Sequence, residues 1–190
     1  MKLIAIAGGI GSGKSVLCRI LSTMGYLVYD TDSAARRLMN LDELLRARLT
    51  DAFGPETYHP DGTLNRSWLA AKVFGREEEL KKLNAIVHPA VATHLMQWAQ
   101  SAPAPVAFVE TALINTGGIR PLVQGVWMVQ APVAVRCSRV MARSGLSECQ
   151  VLQRIKRQAA DDCLGVGDVP IVNDSCRPLL PQIIGALQSL

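Results

Sequence analysis

The sequence predicts an α/β fold in which a five-stranded parallel sheet is flanked by helices. Two observations carry that expectation. Short apolar runs bounded by turn residues recur as Leu3–Ala7, Tyr26–Tyr29, Val106–Val109, Val126–Val129 and Val169–Val172, with helical patterns between them. Such alternation reads as a parallel sheet with crossover helices. The first run also leads straight into Gly8-Gly9-Ile10-Gly11-Ser12-Gly13-Lys14-Ser15, and a helical pattern, Val16-Leu17-Cys18-Arg19-Ile20-Leu21, follows. The octet fits G-x-x-x-x-G-K-[ST] at every fixed position and in the strand–loop–helix setting a P-loop needs, which narrows the expectation to a P-loop NTPase fold.

Taken in order, the first crossover is a helix from Lys14 to Met24 closed by Gly25, where a left-handed cap costs least. Residues 33–101 hold no convincing strand. Helical segments around Leu41–Phe53, Arg66–Phe74 and Arg76–Gln100 make this stretch a helical insertion, with His88-Pro89 expected to end or kink the third helix. After the fourth strand, Pro132–Arg143 is a helix, and Ser147-Glu148-Cys149-Gln150 has the capping-box spacing that starts another. The two form a hairpin carrying Arg136, Arg139, Arg143, Arg154, Lys156 and Arg157. A tail helix from Pro178 to Leu190 sets Leu179, Leu180, Ile183, Ile184 and Leu187 on one stripe. The expected organisation is one domain, with core segments 1–32, 102–131 and 164–190, an acceptor-binding insertion at about 33–101 and a lid at about 132–163.

Composition bounds the partners. At 190 residues and 49% hydrophobic, the chain can build one sizeable core. A net charge of +4 without a block of Lys and Arg gives no argument for nucleic acid. Five cysteines without C-x-x-C spacing suggest reduced thiols of mostly structural burial, and a strand starting within two residues leaves no room for a leader. No apolar run approaches the ~20 residues of a membrane span. A cytoplasmic protein without membrane or nucleic-acid partners is expected.

The glycines let successive N–H groups point inward, and the helix dipole adds to them, so Gly9, Gly11, Ser12, Gly13, Lys14, Ser15 and Val16 form a polyphosphate cradle. Lys14 would reach the outer phosphates of ATP, and the Ser15 hydroxyl would complete the shell of a nucleotide-borne Mg²⁺. At the end of the second strand stands Tyr29-Asp30-Thr31-Asp32-Ser33. Spaced i,i+2 in an extended segment, the two carboxylates would point to one side, where either could deprotonate an acceptor hydroxyl; the alternative is that Asp32 caps a helix. Arg139 and Arg143, at i,i+4, share a face from which arginines can stabilise charge on a transferring phosphoryl group, and a solvated basic face is the alternative. Ala107-Phe108-Val109-Glu110 is similar to a Walker B strand, although many buried strands end in an acid.

In this order the whole chain resembles the dephospho-coenzyme A kinase family. The likeness rests on the P-loop, on Asp30-Thr31-Asp32-Ser33-Ala34-Ala35-Arg36 against D-A-D-x-[IV]-A-R, and on Leu83-Asn84-Ala85-Ile86-Val87-His88-Pro89 against L-x-x-I-x-H-P. It continues through Arg139-Val140-Met141-Ala142-Arg143, Arg154-Ile155-Lys156-Arg157-Gln158 and Asp168-Val169-Pro170-Ile171-Val172-Asn173. The resemblance implies transfer from ATP to the 3′-hydroxyl of dephospho-coenzyme A. Asp32 would be the base, Arg36 and His88 would hold the acceptor, Arg139 would cover the transferring phosphate, and Asn173 would line the adenine pocket. Two departures stand out. Glu110-Thr111-Ala112-Leu113-Ile114-Asn115-Thr116 replaces D-x-P-L-L-F-E, and Arg136 replaces a common glutamine. Another P-loop small-molecule or nucleoside-phosphate kinase and a non-catalytic nucleotide-binding module are the rival readings. A GTPase switch would need a guanine-reading N-K-x-D, which the chain lacks.

Overall fold

The computed structural model describes residues 1–190 and divides into two compact units, Met1–Asp30 with Ala99–Leu190, and Thr31–Trp98. The first unit is built on five parallel strands: β1 (Lys2–Ala7), β2 (Leu27–Asp30), β3 (Val106–Glu110), β4 (Gly125–Gln130) and β5 (Val169–Val172). Their spatial order is β2-β3-β1-β4-β5, so β1 lies centrally and the P-loop leaves its carboxyl end. The register sets Asp30 opposite Glu110, and Glu110 opposite Ile6.

Both faces of β1 are buried, as expected of a parallel sheet covered by crossover helices. Ile4 and Ile6 point to one side and join Phe108, Trp127, Val129 and Ile171. Onto them pack Leu17, Cys18 and Leu21 of α1 (Lys14–Thr23) and Ile183 and Ala186 of α8 (Leu179–Gln188). The Phe108 ring lies 5.4 Å from Tyr26 edge-on and 5.1 Å from Trp127, an arrangement that favours the ring quadrupoles. α1 ends as its sequence predicts. Gly25 adopts φ +91°, and the Tyr26 N–H donates to the Leu21 carbonyl across a Schellman turn.

Between β4 and β5 run α6 (Val133–Ser144) and α7 (Glu148–Arg157), then a 3-10 turn at Ala159–Asp161. The Ser147 capping box forms in full: its hydroxyl accepts from the Gln150 N–H, while the Gln150 side chain accepts from the Ser147 N–H.

The second unit is entirely helical apart from a bridge between Tyr58 and Leu64 and a 3-10 turn. It contains α2 (Thr31–Leu41), α3 (Glu43–Phe53), α4 (Arg66–Val73) and α5 (Glu77–Ser101). Three expectations change here. The segment after β2 turns helical at once, so Asp32 sits in the first turn of α2 and not in an extended run with Asp30. The helix expected from Leu41 starts instead at Glu43, because the Asp42 carboxylate caps it by accepting from the Leu45 N–H at 2.9 Å. Finally, α5 does not end at Pro89. The missing N–H costs one bond, and neighbouring turns on both sides, with Val87, Val91 and Leu95 buried, carry the helix through. No helix is long and apolar enough to cross a membrane. All cysteines are free; Cys18 and Cys137 are buried as expected, whereas Cys149, Cys163 and Cys176 are exposed.

Candidate active site

The P-loop is held from three directions. Inside it, the Lys14 ammonium donates to the carbonyls of Gly8 (2.7 Å) and Gly9 (3.3 Å). At its tip, the Gly9 N–H donates to the Asp162 carboxylate and the Ile10 N–H to the Gln158 side-chain carbonyl, each at 2.7 Å. Behind it, the Asn173 amide donates to the Ser12 carbonyl at 2.8 Å. Arg139 joins that contact, reaching the carbonyls of Gly11 and Ser12 at 3.4 and 3.3 Å and the Asn173 and Ser175 oxygens at 3.2 and 2.9 Å. Ser175, at φ 72°, is the one non-glycine residue with a left-handed backbone, held beside the Arg139 guanidinium.

Close packing explains the glycines. A Cβ at Gly13 would run into the Asn173 amide, one at Gly9 into the Arg136 guanidinium, and one at Gly11 would stand 2.7 Å from the Arg136 carbonyl. Gly13 (φ 100°) and Gly11 (φ 78°) also need the left-handed region. The Lys14 and Ser15 amides stand at the start of α1, where the first N–H groups have no carbonyl in a preceding turn and the dipole is positive, while the Ser12 N–H closes the loop onto the Gly9 carbonyl at 3.2 Å. A polyphosphate fits this cradle.

The site for a divalent cation is equally suited. Ser15 Oγ donates to Glu110 Oε1 at 2.8 Å, which places a hydroxyl and a carboxylate oxygen together at the carboxyl ends of α1's loop and β3. Hard oxygen donors of this kind, few in number, match Mg²⁺ that arrives with phosphate and water ligands. Glu110 also faces Cys18; burial first, then the neighbouring carboxylate, pushes that thiol well above its ordinary range, so Cys18 stays protonated and inert.

Of the hairpin arginines, Arg139 points to the loop and Asn173, whereas Arg143 is exposed in the last turn of α6, where a cation is favoured. Val16 is likewise exposed at the head of α1. In the helical unit, Asp32 and Arg36 are exposed at i and i+4 of α2, on one face, and His88 is half-buried on α5. α2 and α5 are joined by Arg37, whose guanidinium donates to His94 Nε2 at 2.6 Å. Arginine can only donate, so this imidazole nitrogen accepts and the ring is neutral. Burial first, then the Arg37 charge, lowers the His94 pKa accordingly.

Sequence reasoning overlooked three contributors: Asp162, Gln158 and Asp161. Asp161 is buried and accepts from the N–H groups of Asn115 and Thr116 and from the Thr116 hydroxyl. Gln158 closes the motif Arg154-Ile155-Lys156-Arg157-Gln158 without a role assigned from sequence, and Asp162 follows it in a polar turn that carries no motif. Only the turn after α7 brings these to the loop.

The family model for dephospho-CoA kinase (CoaE) matches residues 2–177. A curated dephospho-CoA kinase of Dehalococcoides mccartyi is 38% identical over 182 residues, covering 93% of this chain and 90% of that one. One from Corynebacterium glutamicum is 37% identical over 178 residues, with 92% and 89% covered. Among solved structures, a Thermus thermophilus protein superimposes with TM-score 0.76 at 34% identity, covering 99% of this chain and 95% of that one. The dephospho-CoA kinase of Campylobacter jejuni shares the fold, with TM-score 0.71 at 21% identity and coverage of 100% and 97%. With the P-loop cradle and the lysine and arginine around it in place, these matches across nearly the whole chain show that it belongs to the dephospho-CoA kinase family.

Proposed function

We propose that this chain phosphorylates the 3′-hydroxyl of dephospho-CoA at the expense of ATP, with Asp32 as the base and the P-loop as the donor site. The observation that carries the reading is the fully formed loop: a lysine over its carbonyls and a Ser15–Glu110 oxygen pair at its end. Lys14 exchanges the Gly8 and Gly9 carbonyls for the outer phosphate oxygens of ATP. The loop backbone from Gly9 to Val16 encloses the phosphates, with the N–H groups of Gly11, Gly13, Lys14 and Ser15 as donors, since those of Gly9, Ser12 and Val16 bond to Asp162 and to the Gly9 and Gly13 carbonyls. Ser15, beside Glu110, would hold Mg²⁺, which would supply charge neutralisation at the phosphates.

The acceptor is held by Arg36 and His88. Asp32 accepts the proton of the 3′-hydroxyl as its oxygen bonds to the γ-phosphorus, and the bond to the bridging oxygen breaks, releasing ADP. Arg139 and Arg143 offset charge on the equatorial oxygens, and Asn173 lines the adenine side. Support for Asp32 comes from its exposed position in the first turn of α2, two residues past the β2 terminus. Family membership supports the substrate. The small-molecule pair leaves no need for nucleic acid or membrane. Free thiols suit a reducing cytoplasm.

Turnover of dephospho-CoA against nucleoside monophosphates, shikimate and gluconate tests the assignment. A clear preference for dephospho-CoA is expected, and its absence would return the chain to the broader class of P-loop kinases. In Asp32→Asn, kcat is expected to fall by ~10²–10⁴ with ATP affinity nearly unchanged. An unaltered kcat would remove Asp32 from the chemistry.

A further inference from the structure

Arg136 lies in the first turn of α6 and is almost completely buried, with a relative exposure of 5%. Its Nε donates to the Ile10 carbonyl at 2.8 Å, and its Nη1 donates to the Asp162 carboxylate. The other Asp162 oxygen receives the Gly9 N–H, and Gln158 receives the Ile10 N–H. Three successive peptide units at the loop tip are therefore each held by one side chain from the root of the α6–α7 hairpin. The remaining nitrogen, Nη2, is buried without a hydrogen-bond partner, beside Gly9.

That arrangement is poorly explained as glue. A buried ion pair is weak as a source of stability compared with apolar packing, and an orphaned guanidinium nitrogen adds a desolvation cost. Direction is what it supplies. A peptide unit is planar and trans, so its C=O and N–H point opposite ways. The Ile10 carbonyl shares its unit with the Gly11 N–H. Holding that carbonyl toward Arg136 turns the Gly11 N–H to the opposite side, away from α6. The Ser12 carbonyl, held by Asn173, bears the same relation to the Gly13 N–H.

We propose that Arg136, braced by Asp162, is a positioning residue for the donor nucleotide: it sets the direction of the Gly11 N–H and thereby the affinity of the loop for phosphate. The inference rests on the P-loop as the ATP site and is independent of which acceptor is used. It predicts a loss on the donor side alone.

The test measures ADP binding by calorimetry, without acceptor, and steady-state KM for ATP and dephospho-CoA, in Arg136→Ala, Arg136→Lys, Asp162→Ala and the double alanine variant. Misaimed donors cost on the order of 10-fold to 10²-fold, so ADP affinity and KM for ATP should worsen by that factor in Arg136→Ala while KM for dephospho-CoA stays within about twofold. Because the two residues act as one brace, the double variant should be no worse than the poorer single. Arg136→Lys keeps a charge near Asp162 but cannot reproduce the fork that reaches the Ile10 carbonyl and Asp162 together, and its ADP affinity should also fall. Unchanged ADP affinity in either Arg136 variant, strictly additive losses, or equal rises in both KM values would overturn the proposal. If Arg136→Ala does not fold, Arg136→Lys decides. Failure of the dephospho-CoA assignment would show in the native chain's turnover and leave the ADP result intact.

Discussion

Asp161 is 2% exposed, yet it is surrounded by donors: the N–H groups of Asn115 at 2.6 Å and Thr116 at 2.9 Å, and the Thr116 hydroxyl at 2.6 Å. It pins the segment after β3 that departs most from the family pattern. Two backbone N–H groups would lose their partner in Asp161→Ala, which should cost about 2–5 kcal/mol, read from the shift of a urea midpoint. A loss below 1 kcal/mol would mean water replaces the carboxylate with ease. Lys14 belongs to the opposite category. Its ammonium donates to the Gly8 and Gly9 carbonyls at the phosphate cradle, so Lys14→Ala should abolish turnover and ADP binding while circular dichroism and the urea midpoint stay near native. Residue types at the loop were legible because the chemistry of phosphate binding demands them. Asp161 and Asp162 were not, since an acid in a polar turn gives no sign of which distant amide it will meet.

At the scale of elements, local rules and tertiary demands can be separated. Gly25 ends α1 at φ +91°, with open space where a Cβ would stand. Gly25→Ala should therefore cost about 1–2 kcal/mol of stability, from the backbone alone. The pairing of α2 with α5 through Arg37 and His94 makes a different prediction. The folded His94 pKa lies below the ordinary imidazole value of roughly 6.5. Above that value neither folded nor unfolded chain binds the proton, and the contact is fully present. As pH falls, the unfolded chain protonates first, so stability declines until pH passes through the lower folded value. Urea midpoints between pH 7 and 5 should fall in the native chain and fall less in His94→Gln. Every strand was legible from apolar runs, and the capping box from its spacing. The start of α2 was hidden because Asp30-Thr31-Asp32 is polar and fits a turn as well as a helix, and α5 passes through Pro89 because packing of Val87, Val91 and Leu95 overrides a local breaker.

For the molecule as a whole, donor binding should be visible as stability. A ligand that binds only the folded chain adds about 2.7 kcal/mol at a hundredfold excess over its Kd. ADP should raise the melting temperature of the native chain by several degrees, and the shift should vanish in Lys14→Ala. The five-stranded parallel sheet follows from the alternation of strands and crossovers, whereas the spatial order that puts β1 at the centre is a finding of the structure. Which residues would gather behind the loop did not follow either, because α6, α7 and β5 meet it only through the sheet order β1-β4-β5. That meeting has a consequence for anyone borrowing parts. Gly9 and Gly11 are glycine because Arg136 leans on them, and Gly13 because Asn173 does. A loop with alanine at those places would be incompatible with this hairpin, and this hairpin moved to another scaffold would reject any loop whose tip carries side chains. Loop, hairpin and the end of β5 are thus exchangeable only as one cassette.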